Sequence, residues 1–196
     1  MSISRDNILV SAAQVFYQKG YHGASMADIA HAVGLQKATL YHHFGSKQEI
    51  LAELLDRAML IITENMEDVL RLDCAPDEKI KLAMRAYLRV LCEQAEISSV
   101  LLLEYRSLEK DLYKRHIQNR DKFEKMWRDL VDEGVDSGVF STDSVSMTVW
   151  AMLGVLNWTI TWYRPDGKLS GEEIADLFSN MILDGLRKKK RTGRKM

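Results

Sequence analysis

Ser25-Met26-Ala27-Asp28-Ile29-Ala30-His31-Ala32-Val33-Gly34-Leu35-Gln36-Lys37-Ala38-Thr39-Leu40-Tyr41-His42-His43-Phe44 decides how the rest of the chain is read. Ser25 followed three residues later by Asp28 is a capping box, so a helix begins just after Ser25 with Ile29, Ala30 and Val33 on its apolar face. Gly34 then supplies the tolerance of positive φ that a helix end and tight turn require. A second helix is expected from about Lys37 to Phe44. At 100° per residue its inward edge is Leu40 and Phe44, and its free edge carries Ala38 and His42 flanked by Thr39 and Tyr41, with Lys37 at the N-terminal end. Small, hydroxyl, aromatic and basic groups on one free face suit a helix lying in a DNA major groove. Ala38 lets the backbone approach, Thr39 can meet a base edge, and Lys37, Tyr41 and His42 can reach phosphates.

Gly34-Leu35, Lys37, Thr39 to Phe44 and Ser46-Lys47 together resemble the DNA-binding half of the TetR family of one-component repressors. The resemblance is strong over roughly residues 5 to 55 and weaker over the helical remainder. It implies DNA contacts from Ser25, Gln36, Lys37, Ala38, Thr39, Tyr41, His42 and Lys47. Gln36 departs from the pattern: it stands where such proteins often carry a short hydroxyl side chain, and Gln caps a helix poorly.

Working outward, Ile8, Leu9, Ala12, Val15 and Phe16 form a helical stripe that backs the turn motif, with Tyr21 as an anchor between Gly20 and Gly23. Ser46 and Glu49 form a second capping box, with Lys47 beside a helix N-terminus that would face a phosphate. Ile50, Leu51, Leu54, Leu55, Ala58 and Ile62 carry that helix beyond the head. The expected organisation is all-α: a three-helix helix-turn-helix domain over 1–46, a helical ligand-binding and dimerisation domain over 47–187, and a basic, disordered tail over 188–196.

Composition agrees. The net charge is −1, but the last ten residues hold seven basic groups and no acid, which leaves the body at −8. An acidic body with a modest basic head suits a site-selective DNA binder and not a protein that coats nucleic acid. Cys74 and Cys92 fit neither a disulfide framework nor a metal spacing, so a reduced, cytoplasmic location is expected. There is no His-Glu-x-x-His, no glycine-rich phosphate loop and no nucleophile elbow. Neither an enzyme nor a cofactor or metal site is expected.

In the second half, Pro76 with Asp77 and Glu78 opens a helix bearing Ile80, Ala83, Met84, Tyr87, Leu88 and Leu91 on one side. Val100 to Leu103 is apolar all round and reads as buried. Phe123, Met126, Trp127, Leu130 and Val131 line a long helix from about Lys110 to Ser137. From Ser144 to Tyr163 no residue carries a formal charge, yet interspersed Ser, Thr and Asn argue against a membrane span. Such a helix is expected to have a core face and a partner face. Ser170 and Glu173 cap the last helix, whose expected inward stripe is Ile174, Leu177, Phe178, Met181, Ile182 and Gly185. Paired apolar helices at the C-terminus predict a homodimer through residues 144–187.

A second, weaker resemblance rests on Leu153-Gly154-Val155-Leu156-Asn157-Trp158 and Trp162-Tyr163-Arg164-Pro165-Asp166-Gly167, with Arg120-Asp121 upstream. These are similar to TetR-type regulators of fatty-acid and other acyl-CoA degradation. The resemblance implies an acyl chain among apolar walls, with Met84, Tyr87, Leu91, Leu103, Tyr105, Met126, Trp127, Met152, Leu156 and Trp158 as candidates. Asn157 would meet a carbonyl or amide, and Arg106 or Arg120 the phosphates. Two alternatives stay open: an efflux-type repressor released by amphipathic drugs or cations, with Glu104 as counter-charge, and a helical interaction module that does not bind DNA. The leading expectation is a homodimeric repressor on an inverted repeat of double-stranded DNA, released by a lipophilic effector.

Overall fold

The helix signals resolve into nine α-helices in a computed structural model that describes residues 4–186; the basic tail lies outside the described residues. Helix α1 (Arg5–Gly23) starts where the Ser4 hydroxyl accepts the Asn7 N–H at 3.3 Å and bends at Gly20, whose φ of 68° an L side chain rarely adopts. Helix α2 (Met26–Val33) has both halves of its capping box, with Asp28 N–H on Ser25 Oγ at 3.1 Å and Ser25 N–H on the Asp28 carboxylate at 2.8 Å. It ends at Gly34 in the left-handed region, and Leu35 N–H returns to the Ala30 carbonyl at 2.8 Å. Helix α3 (Lys37–His43) follows, with Phe44 closing it. Gln36 makes no side-chain cap there, as its chemistry predicts.

Helices α4 (Lys47–Leu70), α5 (Pro76–Glu93), α6 (Ala95–Ser99), α7 (Lys110–Asp136), α8 (Val145–Trp162) and α9 (Gly171–Leu186) complete the chain. No β-strand occurs among the described residues, so the fold is all-α. Two compact units emerge, and they do not follow chain order. The first takes the N-terminal residues through Glu64 together with Val90–Phe123; the second takes Asn65–Arg89 with the chain from Glu124 onward. Helices α4, α5 and α7 therefore each contribute residues to both.

The first unit is built on Ile8, Phe16, Ile29, Leu40, Phe44, Ile50, Leu51 and Leu54, all essentially inaccessible to water. At about 1.5–3 kcal/mol per large side chain, this packing holds α2 and α3, which are too short to persist alone. The second unit packs Ile80, Met84, Leu88, Trp127, Leu130, Val131, Val149, Met152 and Leu156.

Two expectations are corrected here. Val100–Glu104 forms a π-helical turn followed by a 3₁₀ turn at Tyr105–Ser107, and the changed pitch swings Leu103 outward to 60% exposure while Val100 and Leu101 stay buried. In α9 the inward residues are Gly171, Ile174, Ala175, Ser179, Leu183 and Leu186; Leu177 and Met181 from the expected stripe face solvent. Small Gly171, Ala175 and Ser179 allow close helix approach, and this displaces the bulky stripe outward.

Candidate nucleic-acid interface and effector contacts

The reading helix is short, and its surroundings hold it. Leu40 and Phe44 point into the first unit, which leaves Gln36, Lys37, Ala38, Tyr41 and His42 exposed and Thr39 half-exposed on the free side. Lys37 Nζ lies 5.9 Å from the Tyr41 ring centroid. The sequence-predicted DNA face is therefore one continuous surface. Ser25 sits at the N-terminus of α2, exposed but engaged, its hydroxyl donating to Asp28 Oδ2 at 2.6 Å. Lys19 completes this cap by binding Asp28 at 2.5 Å, and these bonds hold the Asp28 carboxyl well below the usual carboxylate range.

Lys47, expected at a phosphate, is engaged within the head. Its ammonium donates to the Tyr21 carbonyl at 2.7 Å and the Ala24 carbonyl at 2.6 Å, and lies 4.2 Å from the Tyr21 ring. With those partners it is half-buried and fastens the α1–α2 corner to the start of α4. A second brace went unnoticed in the sequence. Arg5 donates to the His43 carbonyl, pairs with Glu49 at 3.2 Å and with Glu53, and covers the Phe44 ring at 4.0 Å. It ties the end of α3 to α1 and α4. Gln48 is a third: its amide donates to the Ser107 carbonyl at 2.7 Å and accepts from Glu109 N–H at 2.9 Å. His22 Nε2 also lies 3.2 Å from the Ser107 hydroxyl. The 3₁₀ turn is thus bonded to the reading head within one unit.

The effector candidates fall into two groups. In the first unit, Leu91 is buried, and Arg106 Nε donates to the Tyr105 hydroxyl at 3.2 Å while the Arg120 guanidinium stands 4.5 Å over the Tyr105 ring. Burial pushes the Tyr105 phenol up, but Arg106 and Arg120 outweigh it and hold it below its ordinary value. Neither arginine pairs with a carboxylate among the described residues. In the second unit, Tyr87 donates to Asn157 Oδ1 at 2.7 Å and meets Trp127 edge-on at 6.2 Å, beside fully buried Met84. Trp158 does not belong with them. It is 66% exposed on the outward side of α8, because Val149, Met152, Leu156 and Thr159 take the inward positions.

That outward side is apolar. Met147, Trp150, Trp158 and Trp162 project from α8, Leu177 and Met181 from α9, and Trp162 meets Phe178 edge-on at 6.4 Å. Among the described residues no helix is long and apolar enough to cross a membrane, and no group of three His, Cys, Asp or Glu could hold a metal. Cys74 and Cys92 are not joined in a disulfide.

Comparison with known proteins agrees with this geometry. Residues 8–54 match the family described as bacterial regulatory proteins, tetR family, and residues 73–186 match the tetracyclin repressor-like C-terminal domain. The chain belongs to the TetR family. The HTH-type transcriptional repressor KstR2 of Mycobacterium tuberculosis is 27% identical over 187 residues, covering 94% of this chain and 93% of its own. The crystal structure of the TetR regulator PfmR from Thermus thermophilus superposes with a TM-score of 0.86 at 38% identity, over 94% of this chain and 100% of PfmR. AibR, solved with isovaleryl coenzyme A and operator DNA, gives a TM-score of 0.84 at 25% identity, over 90% of this chain and 96% of its own. TetR membership makes this chain a transcription regulator with an N-terminal helix-turn-helix and a C-terminal ligand-binding domain, and its relatives are regulators, not enzymes.

Proposed function

We propose that the chain is a homodimeric repressor that binds an inverted repeat and is released by an acyl-CoA. The observation that carries this reading is the division of outward faces: basic, hydroxyl and aromatic groups on α3, indole and thioether groups on α8 and α9. The first face suits a major groove, with Gln36, Lys37, Ala38, Thr39, Tyr41 and His42 as contacts and Ser25 at the neighbouring helix start. The second suits a twin, since two copies joined there present two reading heads to two half-sites. The acyl-CoA part is supported by Arg106 and Arg120, two guanidinium groups gathered at Tyr105 without carboxylate partners among the described residues, and by the coenzyme A ligand named for AibR. The same pair disfavours an amphipathic cation as effector.

Release follows if ligand favours a dimer whose heads no longer meet successive major grooves, so that simultaneous contact is lost. Within the first unit the bonded path from Tyr105 through Ser107 to Gln48 and His22 gives such a signal a route to the head. The test is operator binding by fluorescence anisotropy with and without acyl-CoAs from short to long chain. A fall of at least about 10-fold with one chain length supports the reading. Unchanged affinity at saturation across the series removes acyl-CoA as the effector.

A further inference from the structure

Spacings of three and four residues place Tyr113, His116 and Arg120 on one stripe of α7. The middle residue is the most confined. His116 is 1% exposed, and neither ring nitrogen has a hydrogen-bond partner among the described residues. Tyr105 lies against it with ring centroids 5.7 Å apart, stacks on Tyr113 at 6.2 Å and carries the Arg120 guanidinium on its face. Burial, with the Arg120 charge adding to it, pushes the imidazole down to about 4, so the ring is neutral near pH 7. A neutral imidazole still holds one N–H donor and one bare nitrogen. Burying both unpaired is costly, and a histidine kept only for packing ordinarily recruits a carbonyl or carboxylate for its N–H. The charge that acts on it is the Arg120 guanidinium, a donor. The Tyr105 hydroxyl is engaged by Arg106, and the imidazole N–H has no acceptor among the described residues.

We infer that His116 is a ligand contact whose buried N–H donates to the thioester carbonyl of the bound acyl-CoA. This rests on the acyl-CoA reading above and deepens it by assigning the recognition of the carbonyl to a residue outside the set that sequence pattern supplied. A phosphate would be a poor occupant, since a dianion beside a residue 1% exposed would lose its hydration; phosphates suit the exposed Arg106 and half-exposed Arg120. A neutral carbonyl accepts one hydrogen bond at little desolvation cost. Asn157, the carbonyl contact first expected, accepts the Tyr87 hydroxyl on its side-chain oxygen in the second unit, apart from this cluster.

The experiment changes the protein and the ligand together. Calorimetric titration compares butyryl-, decanoyl- and palmitoyl-CoA with the matching S-alkyl-CoA thioethers, which lack the carbonyl oxygen. The proteins are the full wild-type chain, His116→Leu and His116→Gln, each with an apo Tm. Expected is a preference of about 10-fold for thioester over thioether in the wild type, gone in His116→Leu and partly kept in His116→Gln, which retains an N–H. The apo Tm of His116→Leu should be no lower than wild type, because an unpaired polar ring has been removed. A wild type that binds both ligand classes equally, or a Leu variant that keeps the preference, overturns the role of His116 and leaves the acyl-CoA reading standing. A wild type that binds no CoA compound overturns both. Should the Leu variant fail to fold, the wild-type ligand pair and the Gln variant still decide the question.

Discussion

Helix α3 and helix α8 both keep an apolar edge inside, yet they expose opposite chemistry. On α3 the buried residue is Leu40, and the outward residues are Lys37, Ala38, Tyr41 and His42, groups that lose little by exchanging water for phosphate. On α8 the buried residues are Val149, Met152, Leu156 and Thr159, and the outward ones are Met147, Trp150, Trp158 and Trp162. Those side chains gain about 1.5–3 kcal/mol each on leaving water. A buried edge shows only that a helix is packed; its exposed edge shows what class of surface it awaits. That difference can be tested from either side.

The largest expected effect comes from Trp158→Asp. The indole is already 66% exposed, so a carboxylate there should leave the monomer folded while making the apolar face a poor partner. Analytical ultracentrifugation should show a monomer at micromolar concentration. Operator affinity should fall about 10²–10⁴-fold as two-point attachment is lost. A dimer with unaltered affinity would mean the α8 face is not where the twin sits. Next in size is the double change Tyr41→Ala with His42→Ala. Loss of about 10–100-fold in operator affinity, with little change in salt dependence because neither side chain carries a full charge at pH 7, and with unaltered dimer mass, is the expected result. The two variants should thus weaken DNA binding through separable defects, only the first of which changes the mass.

The reading head was legible in the sequence because its determinants are local. Ser25 with Asp28, Gly34, and the inward spacing of Leu40 and Phe44 all act within four residues, and each appears where the pattern places it. What stayed hidden there is non-local: Arg5 reaches His43, Glu49 and Glu53 across some forty residues of chain, and Gln48 reaches Ser107 and Glu109. Nothing in the sequence around Lys47 announces its bonds to the Tyr21 and Ala24 carbonyls. In α9 Ile174 of the expected stripe is buried while Leu177 and Met181 face solvent, since an apolar stripe does not say whether it meets its own core or another surface. Gly134 is a further case. Its missing side chain admits the Phe140 ring, which a Cβ would meet at 2.0 Å, and no spacing rule predicts that contact.

His116 sharpens the comparison from inside the first unit. Its folded value of about 4 lies below the ordinary 6.5, so between those values the unfolded chain takes up a proton that the folded chain does not. The penalty for keeping the ring unprotonated is therefore absent above pH 6.5, grows as pH falls, and is complete below about 4. Urea unfolding of the wild type should lose about 3 kcal/mol more than His116→Leu over that window. Parallel pH profiles would show that the imidazole near Tyr105 and Arg120 does not stay neutral on folding.

The smallest effect is the most discriminating, because both regions contain the same device. In α2, Asp28 N–H bonds Ser25 Oγ at 3.1 Å; in α9, Glu173 N–H bonds Ser170 Oγ at 3.2 Å, and each carboxylate returns to its serine N–H, at 2.8 and 2.7 Å. Replacing either serine with alanine removes one acceptor from a helix start and should cost about 1 kcal/mol in denaturant unfolding. Stability alone would therefore rank the two variants as equivalent. DNA binding should separate them: Ser25→Ala loosens the helix against which α3 is set and should weaken operator binding several-fold, whereas Ser170→Ala should leave it within error once both proteins are more than 95% folded and dimeric, a threshold that a loss of about 1 kcal/mol does not threaten in a domain of ordinary stability. Equal losses of operator affinity would mean that cap strength acts on DNA binding only through the folded fraction, and that the geometry of the reading head is not set by the α2 cap.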